Sequence, residues 1–329
     1  MFNPEFSIVT PTFRQLDWLR LCIASVRDQA VATPSRLDAG LSMISIEHII
    51  QDAGTPGIEE LARELGAEFY RDGQIIFDAK EFSLDLSPEI LQSATNQAPN
   101  YSLKIFSEKD AGMYDAINRG FARANGYVFA YLNSDDQYLP GTLEEVWKFL
   151  QTNTLVDVLF GDVIVVGANG GYLCTRMATI PSECHACVHT LSIFTAATFF
   201  RRSIVADKKI LFQSKWKAVG DVVWILDLLR AKIPMGLLHK TIAAATETGE
   251  NLILSDKSQC EANRLFSSSP WFLRIIKPLL VLQHRFKRLA RGAYWPPLET
   301  YLIYTRNLSE QRTGFRPLKS TYKLEGRFG

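Results

Sequence analysis

A layered α/β fold, with a largely parallel sheet covered by helices on both faces, is predicted by three observations. Short apolar runs alternate with longer stretches whose apolar residues recur at spacings of three and four. The short runs are continuously apolar, as in strands buried on both faces. Polar and acidic residues follow the runs, at the strand ends where such sheets bind ligands.

The elements follow in order. Ile8 and Val9 lie in a strand over 6–10 that stops at Pro11. Leu16, Leu19, Cys22, Ile23 and Val26 then line one helical face. Residues 44–50 are β-branched and read as a strand, and Ile58, Leu61, Ala62 and Leu65 as a helix stopped by Gly66. A strand over 103–106 precedes a helix marked by Met113, Ala116, Ile117, Gly120 and Phe121. Residues 127–132 form a strand, and Leu143, Val146, Trp147 and Leu150 mark the next helix. Strand signals continue over 157–166, turn at 167–171 and resume over 172–176. A strongly apolar helix with Asp221 at its start then runs to Arg230.

The chain has 329 residues, 47% of them apolar and 22% charged, with a formal net charge of +1. It is long and apolar enough to bury a large core. Its near-neutral charge excludes a dedicated nucleic-acid binder. The first residues lack a basic region followed by an apolar stretch, and no run reaches the roughly 18 uncharged residues of a membrane span. Five scattered cysteines fit reduced thiols, so a cytoplasmic location is expected.

Asp135 and Asp136 are the most informative strand-end residues. They follow the apolar run 128–132, where two adjacent carboxylates repel one another and lose hydration unless a cation neutralises them. Oxygen ligands on a short turn suit Mg2+ or Mn2+, with water and phosphate oxygens completing the shell. A diphosphate ligand is therefore expected. No Walker lysine motif and no G-x-G-x-x-G follows the first strand, which excludes P-loop and dinucleotide-binding readings.

Four strings carry a family resemblance over roughly residues 5–255: Ser7-Ile8-Val9-Thr10-Pro11-Thr12-Phe13, Ile49-Ile50-Gln51-Asp52-Ala53-Gly54-Thr55, Ser107-Glu108-Lys109-Asp110-Ala111-Gly112-Met113-Tyr114-Asp115-Ala116-Ile117-Asn118-Arg119-Gly120, and Tyr131-Leu132-Asn133-Ser134-Asp135-Asp136. They resemble the inverting family 2 glycosyltransferases with the GT-A fold, of the kind that builds bacterial surface polysaccharides. The resemblance implies a Rossmann-like, mostly parallel sheet flanked by helices and a metal-dependent enzyme using Mn2+ or Mg2+. It implies transfer of a sugar from a nucleotide-diphosphate donor, UDP or dTDP, to a glycan or lipid-linked acceptor. Thr10, Pro11 and Thr12 would then lie along the nucleobase, with Asp52 accepting from its ring N–H. Asn133 takes the first D-x-D position, facing the ribose, with Ser134 beside it and Asp135 and Asp136 at the metal. Asp110 and Arg119 would sit near the donor sugar and phosphates.

Asp221 is the expected base for the acceptor hydroxyl, because the amides at a helix start keep a carboxylate ionised. The resemblance also places an acid before a helix ending in an arginine there, here Arg230. Asp162 is a secondary site candidate or a turn aspartate. His185 and His189 lie in a loop with Cys184 and Cys187, where one C-x2-C lacks the second pair of a zinc site; an ordinary loop next to the acceptor groove is expected, where His185 or His189 could touch a sugar. Residues 73–101 are an insertion relative to the family pattern, read as an elaboration near the acceptor or as inert.

The chain divides into a catalytic domain over 1–255, with a nucleotide-sugar half (1–150) and an acceptor half (151–255), and a basic amphipathic helical extension over 256–329. No acidic residue lies between Glu261 and Glu299, while arginines and lysines interleave with aliphatic and aromatic residues, and Pro278 divides the segment. Peripheral contact with an anionic membrane on its inner face is one reading of this extension, and packing on the catalytic domain or a homodimer the other. Two other activities compete with the transferase. A sugar-nucleotide nucleotidyltransferase should carry a Gly-rich, Arg-containing loop after the first strand, which residues 10–14 lack. An inactive glycan-binding or scaffold protein need not keep Asp135, Asp136 and Asp221.

Overall fold

The computed structural model describes residues 3–30, 43–78, 100–188, 191, 193–249 and 256–322. The strands are β1 (Phe6–Thr12), β2 (Ile46–Asp52), β3 (Glu68–Arg71), β4 (Gln74–Phe77), β5 (Tyr101–Ser107), β6 (Val128–Tyr131), β7 (Gln137–Tyr138), β8 (Val158–Gly167), β9 (Tyr172–Arg176), β10 (Thr198–Arg201), β11 (Met235–Glu247), β12 (Tyr301–Thr305) and β13 (Leu308–Phe315). The longer helices are α1 (Leu16–Arg27), α2 (Ile58–Glu64), α3 (Met113–Arg123), α4 (Thr142–Thr152), α5 (Gly220–Arg230), α6 (Asp256–Ser268), α7 (Trp271–Ile275) and α8 (Lys277–Ala290).

Eleven strands form one sheet in the order β4-β3-β5-β2-β1-β6-β10-β8-β11-β7, with β9 added to β8. The stretch β3-β5-β2-β1-β6 is parallel throughout, whereas β10 runs antiparallel to both β6 and β8. The 1–150 and 151–255 halves thus meet inside a single sheet. Every residue of β1 and β2 is buried, and their polar members pair across the two strands, Ser7 Oγ with Glu47 at 2.7 Å and Thr10 with His48 at 2.9 Å.

Side chains alternate between the two faces. Phe6 and Ile8 of β1 pack with Leu19, Ile23 and Val26 of α1 and with Leu143 and Val146 of α4. Val9 on the other face joins Ile117 and Phe121 of α3 and Trp224, Ile225 and Leu228 of α5. Each such buried side chain contributes roughly 1.5–3 kcal/mol. Gly120 lets α3 seat closely on the sheet, since a Cβ there would lie 2.4 Å from Val9 Cγ1.

The strand order sets the location of a ligand crevice. From β1 the chain winds outward through β2 and β5, then returns to place β6 on the other side of β1. Loops leaving the carboxyl ends of β1 and β6 therefore diverge, opening a crevice between them.

The C-terminal segment corrects the expectation of a wholly helical extension. Helices α6, α7 and α8 are followed by the β12–β13 hairpin. Tyr301 and Ile303 alternate inward onto Leu139, Ile164, Val166 and Ala244, a period of two that marks a strand. Arg312 binds both carboxylate oxygens of Asp28, at 2.6 and 2.9 Å, and so ties the hairpin to the end of α1. Pro278 divides the helices as expected, standing in the first turn of α8 two residues after the break at Ile276. Most of the insertion, residues 79–99, lies outside the described residues; its start pairs β4 with β3. No helix among the described residues is long and apolar enough to cross a membrane.

Candidate active site at the β1–β6 crevice

Register brings the strand-end residues level. Thr12 of β1 pairs with Asp52 of β2, and Asp52 with Ser107 of β5. The Asp52 carboxylate is fully buried and accepts from the Gly54 and Thr55 amides at 3.0–3.1 Å and from Ser107 Oγ at 2.7 Å. It organises the turn after β2, which Gly54 completes at φ +93°. Among the described residues Oδ1 accepts only the Thr55 amide, which leaves capacity for one more donor.

Thr10 differs from its expected role along the nucleobase. Its hydroxyl is turned inward to His48 Nε2 at 2.9 Å, and His48 Nδ1 contacts Tyr101 Oη at 2.8 Å. Burial drives His48 down to about 3, so this chain contains a neutral imidazole. Pro11 is buried within β1, and the Thr12 hydroxyl is buried without a partner. Arg14 follows in the left-handed region, at φ 57°, with its amide on Thr55 Oγ1 and its guanidinium exposed over Phe13. A groove lined by Arg14, Gln15, Leu16, Asp17, Trp18 and Thr248 opens here, between the β1–α1 turn and the end of β11.

Across the crevice, residues 133–136 form a turn closed by the Asp136 amide on the Asn133 carbonyl, 3.1 Å. Ser134 Oγ donates to Gln15 Oε1 at 2.5 Å and links this turn to the start of α1. Asp136 accepts from Asn133 Nδ2 and from the Thr246 amide, both at 3.2 Å. Burial, followed by the neighbouring Asp135, nevertheless pushes its carboxyl well above the usual range. Asp135 is pushed up to about 6, by burial first and then by Glu247 at the end of β11. Asn133 Oδ1 is buried and has no partner among the described residues.

These features fit a divalent cation. Two desolvated, mutually repelling carboxylates and an orphaned amide oxygen lie on one turn, and a cation would reverse the penalty that raises their protonation. No group of three or more His, Cys, Asp or Glu side chains converges into a metal cage among the described residues. The donor set therefore matches an open site completed by water and phosphate oxygens.

The third motif builds the adjoining wall. Asp110 Oδ1 accepts the Gly112 amide at 2.8 Å in the turn that starts α3. Arg119 pairs with Asp115 at 3.0 Å and Glu108 at 3.3 Å, and Arg123 pairs with Glu108 at 2.9 Å. Glu108 is thus the hub of this wall, a role that sequence reading missed although the residue stands inside the motif. Arg119 is thus paired with two carboxylates of its own wall.

Asp221 lies in the first turn of α5. Its Oδ1 accepts the Val222 amide at 2.8 Å and Tyr114 Oη at 3.4 Å, while its own amide donates to Tyr114 Oη at 3.2 Å. Burial outweighs these donors and raises its pKa above the ordinary carboxylate value. A raised carboxyl is a stronger base. Buried Tyr131 is pushed far up by burial and then by both Asp221 and Asp136, so the two acid sites act on one phenol between the motifs. The loop before α5 is held by the C-terminal segment. Glu261 of α6 accepts the amides of Lys217 at 2.9 and 3.0 Å, Ala218 at 2.8 Å and Val219 at 3.3 Å.

The secondary candidates lie elsewhere. Asp162 is a buried anchor: Arg291, just past α8, reaches both of its oxygens at 2.9 and 3.0 Å, with each side chain under a tenth exposed. Burial still pushes Asp162 up to about 6 against the arginine and the Ala178 amide. His185 stacks on His284 of α8 at 4.1 Å, beneath the C-terminal helices rather than in an open groove. Arg230 pairs with Glu183 at 3.0 Å and so secures the 183–186 turn. His189 lies outside the described residues.

Comparison with known proteins finds partial matches. Residues 75–199 match the sequence model of glycosyl transferase family 2. The chain is 34% identical over 123 residues to a PGL/p-HBAD biosynthesis glycosyltransferase of Mycobacterium bovis, covering 35% of this chain and 44% of that protein. It is 24% identical over 234 residues to the minor teichoic acid biosynthesis protein GgaA of Bacillus subtilis, covering 68% of this chain and 43% of that protein. The chain thus spans less than half the length of these relatives. Among solved structures, S. aureus TarS in complex with UDP-GlcNAc aligns with a TM-score of 0.49 and 15% identity, over 87% of this chain and 73% of that chain. The matched family segment contains the motifs at 107–120 and 131–136, which build the wall and the acid turn of the β1–β6 crevice.

Proposed function

We propose that this protein is a metal-dependent, inverting glycosyltransferase that moves a sugar from a nucleotide-diphosphate donor, UDP or dTDP, to a glycan or lipid-linked acceptor. The observation that carries this reading is the acid turn. Asp135 and Asp136 are desolvated beside the unpartnered Asn133 Oδ1, at the switch point of an α/β sheet. Asp135 and Asp136 would hold Mn2+ or Mg2+, which when bound neutralises diphosphate charge. Thr12, Asn133 and Ser134 line the donor side. The spare lone pair on Asp52 Oδ1 suits a uracil or thymine N–H. The exposed guanidinium of Arg14 and the acid-paired Arg119 supply positive charge for phosphates. The relatives' printed roles, PGL/p-HBAD biosynthesis and minor teichoic acid biosynthesis, support an acceptor in surface polysaccharide biosynthesis.

Asp221 acts as base. Its carboxylate takes the proton of the acceptor hydroxyl as that oxygen attacks the anomeric carbon, and the nucleoside diphosphate leaves from the opposite face of the sugar. Tyr114 fixes the carboxylate by bonding both its oxygen and its amide.

Screening nucleotide sugars for Mn2+-dependent hydrolysis and transfer tests the reading and identifies the donor. Asp221→Asn should abolish transfer and leave donor binding by calorimetry unchanged. Retained turnover removes Asp221 from the mechanism, and absence of nucleotide-sugar binding in the wild type sinks the whole reading in favour of a glycan-binding scaffold.

A further inference from the structure

We infer that the α7–α8 surface docks flat on an anionic lipid bilayer. Phe272, Ile275, Leu279, Leu282, Phe286 and Leu289 follow one another at spacings of three and four and are all exposed, several by about half or more: Ile275 68%, Leu279 63%, Phe286 61%. Trp271 and Trp295 stand exposed near the two ends of this stripe, at 67% and 73%. Large side chains at this spacing normally face a core. Here the core-facing positions are Leu273 and Leu280, which bury against Ala186, Cys187, Val188 and Leu226. The helices therefore have two apolar faces, and only one is used within the chain.

The opposite face is firmly held. Ser269 Oγ donates to the Cys187 carbonyl at 2.8 Å, His284 stacks on His185, and Arg291 is buried on Asp162. The exposed stripe is thus fixed in place as a surface of the folded domain.

Charge identifies the occupant. Spacing of three and four would also suit a coiled-coil seam with a second copy of this chain. The residues flanking the stripe, however, are cations: Arg274, Arg285 and Lys287 are exposed and form no ion pair among the described residues. No carboxylate stands between Glu261 and Glu299 to answer them across a twofold axis. Two copies would set arginine and lysine against arginine and lysine, which repel. An anionic headgroup layer satisfies the cations, the aliphatic stripe enters the acyl boundary, and the tryptophans sit at headgroup level. Since no described helix can span a bilayer, the contact is peripheral. Through Glu261 the same helical segment also grips the loop before Asp221, so docking would hold the proposed base at a set place relative to the membrane.

The test is sedimentation of the full chain with vesicles of phosphatidylglycerol and phosphatidylcholine, against vesicles of phosphatidylcholine alone, at low and high salt, with sedimentation velocity in parallel. Binding to the anionic vesicles only, weakened by salt, is expected. Neutralising Arg274, Arg285 and Lys287 together to Gln should weaken it on the order of a hundredfold, at about fivefold per charge. Leu279→Glu with Phe286→Glu should abolish it without changing the thermal midpoint, because both positions are exposed. Equal binding to neutral vesicles, no binding to either, or a dimer that the Leu279→Glu, Phe286→Glu pair dissolves would overturn the assignment. Donor binding, measured separately, is independent of all these outcomes.

Discussion

Glu261 offers a quantitative test of how the C-terminal segment serves the catalytic domain. Its carboxylate takes three consecutive backbone amides, those of Lys217, Ala218 and Val219, immediately before α5. This is a clamp on the loop that enters α5, supplied from a distant part of the chain. A hydrogen bond to a charged group contributes about 1.5–3 kcal/mol net, and loss of a negative charge near a helix start adds about 0.3–1 kcal/mol. The site is half-buried, so water can answer some of the amides, and Glu261→Ala should cost about 1–3 kcal/mol in urea unfolding. Glu261→Gln retains one acceptor oxygen and should lose mainly the charge contribution. If roughly half the alanine cost is felt at the start of α5, kcat falls about three- to tenfold with donor affinity unchanged. The assay pairs urea midpoints with steady-state kinetics and donor calorimetry for both variants. Equal midpoints and equal kcat for wild type and Glu261→Ala would refute the clamp. Loss of stability with kcat untouched would show that the loop does not position Asp221.

Three further outcomes follow from the electrostatics and packing. Asp221 has a raised pKa, so the acid limb of kcat should fall away as pH drops through a value above the ordinary carboxylate 3.8, and a limb at or below 3.8 would contradict its burial. Arg291→Gln should leave Asp162 buried without its partner and destabilise the chain by about 3–5 kcal/mol. Because folding already raises the Asp162 carboxyl to about 6, the deficit should be largest near pH 8, where the group is ionised, and shrink towards pH 5 as it protonates; thermal midpoints across that range decide this. Gly120→Ala should cost about 1–3 kcal/mol by pushing α3 off Val9, and an unchanged urea midpoint would show that the helix shifts freely.

Much of the catalytic half was legible in the residues themselves. Strands buried on both faces leave an unbroken apolar run, and helices packed on one side leave a stripe, so β1, β2, β5, β6, α1, α3 and α4 could be placed from periodicity. Asp135 and Asp136 were recognisable because adjacent carboxylates after an apolar strand demand a compensating charge. The individual roles were less legible, since a residue type does not disclose its direction. Thr10 points to His48, Asp52 binds its own turn, and Arg119 is paired with Asp115 and Glu108.

The C-terminal segment divides the same way. Sequence alone determined that it is basic, apolar and interrupted at Pro278, because charge and ring constraint belong to single residues. Only the tertiary structure decided that Tyr301 and Ile303 form a hairpin strand, that Arg291 reaches back to Asp162, and that Glu261 clamps the amides before Asp221. Those contacts join residues separated by tens to more than a hundred positions, and their partners are chosen by packing of the whole sheet. Local periodicity carries no information about such distant pairings; burial, which leaves each polar group needing a partner, selects them.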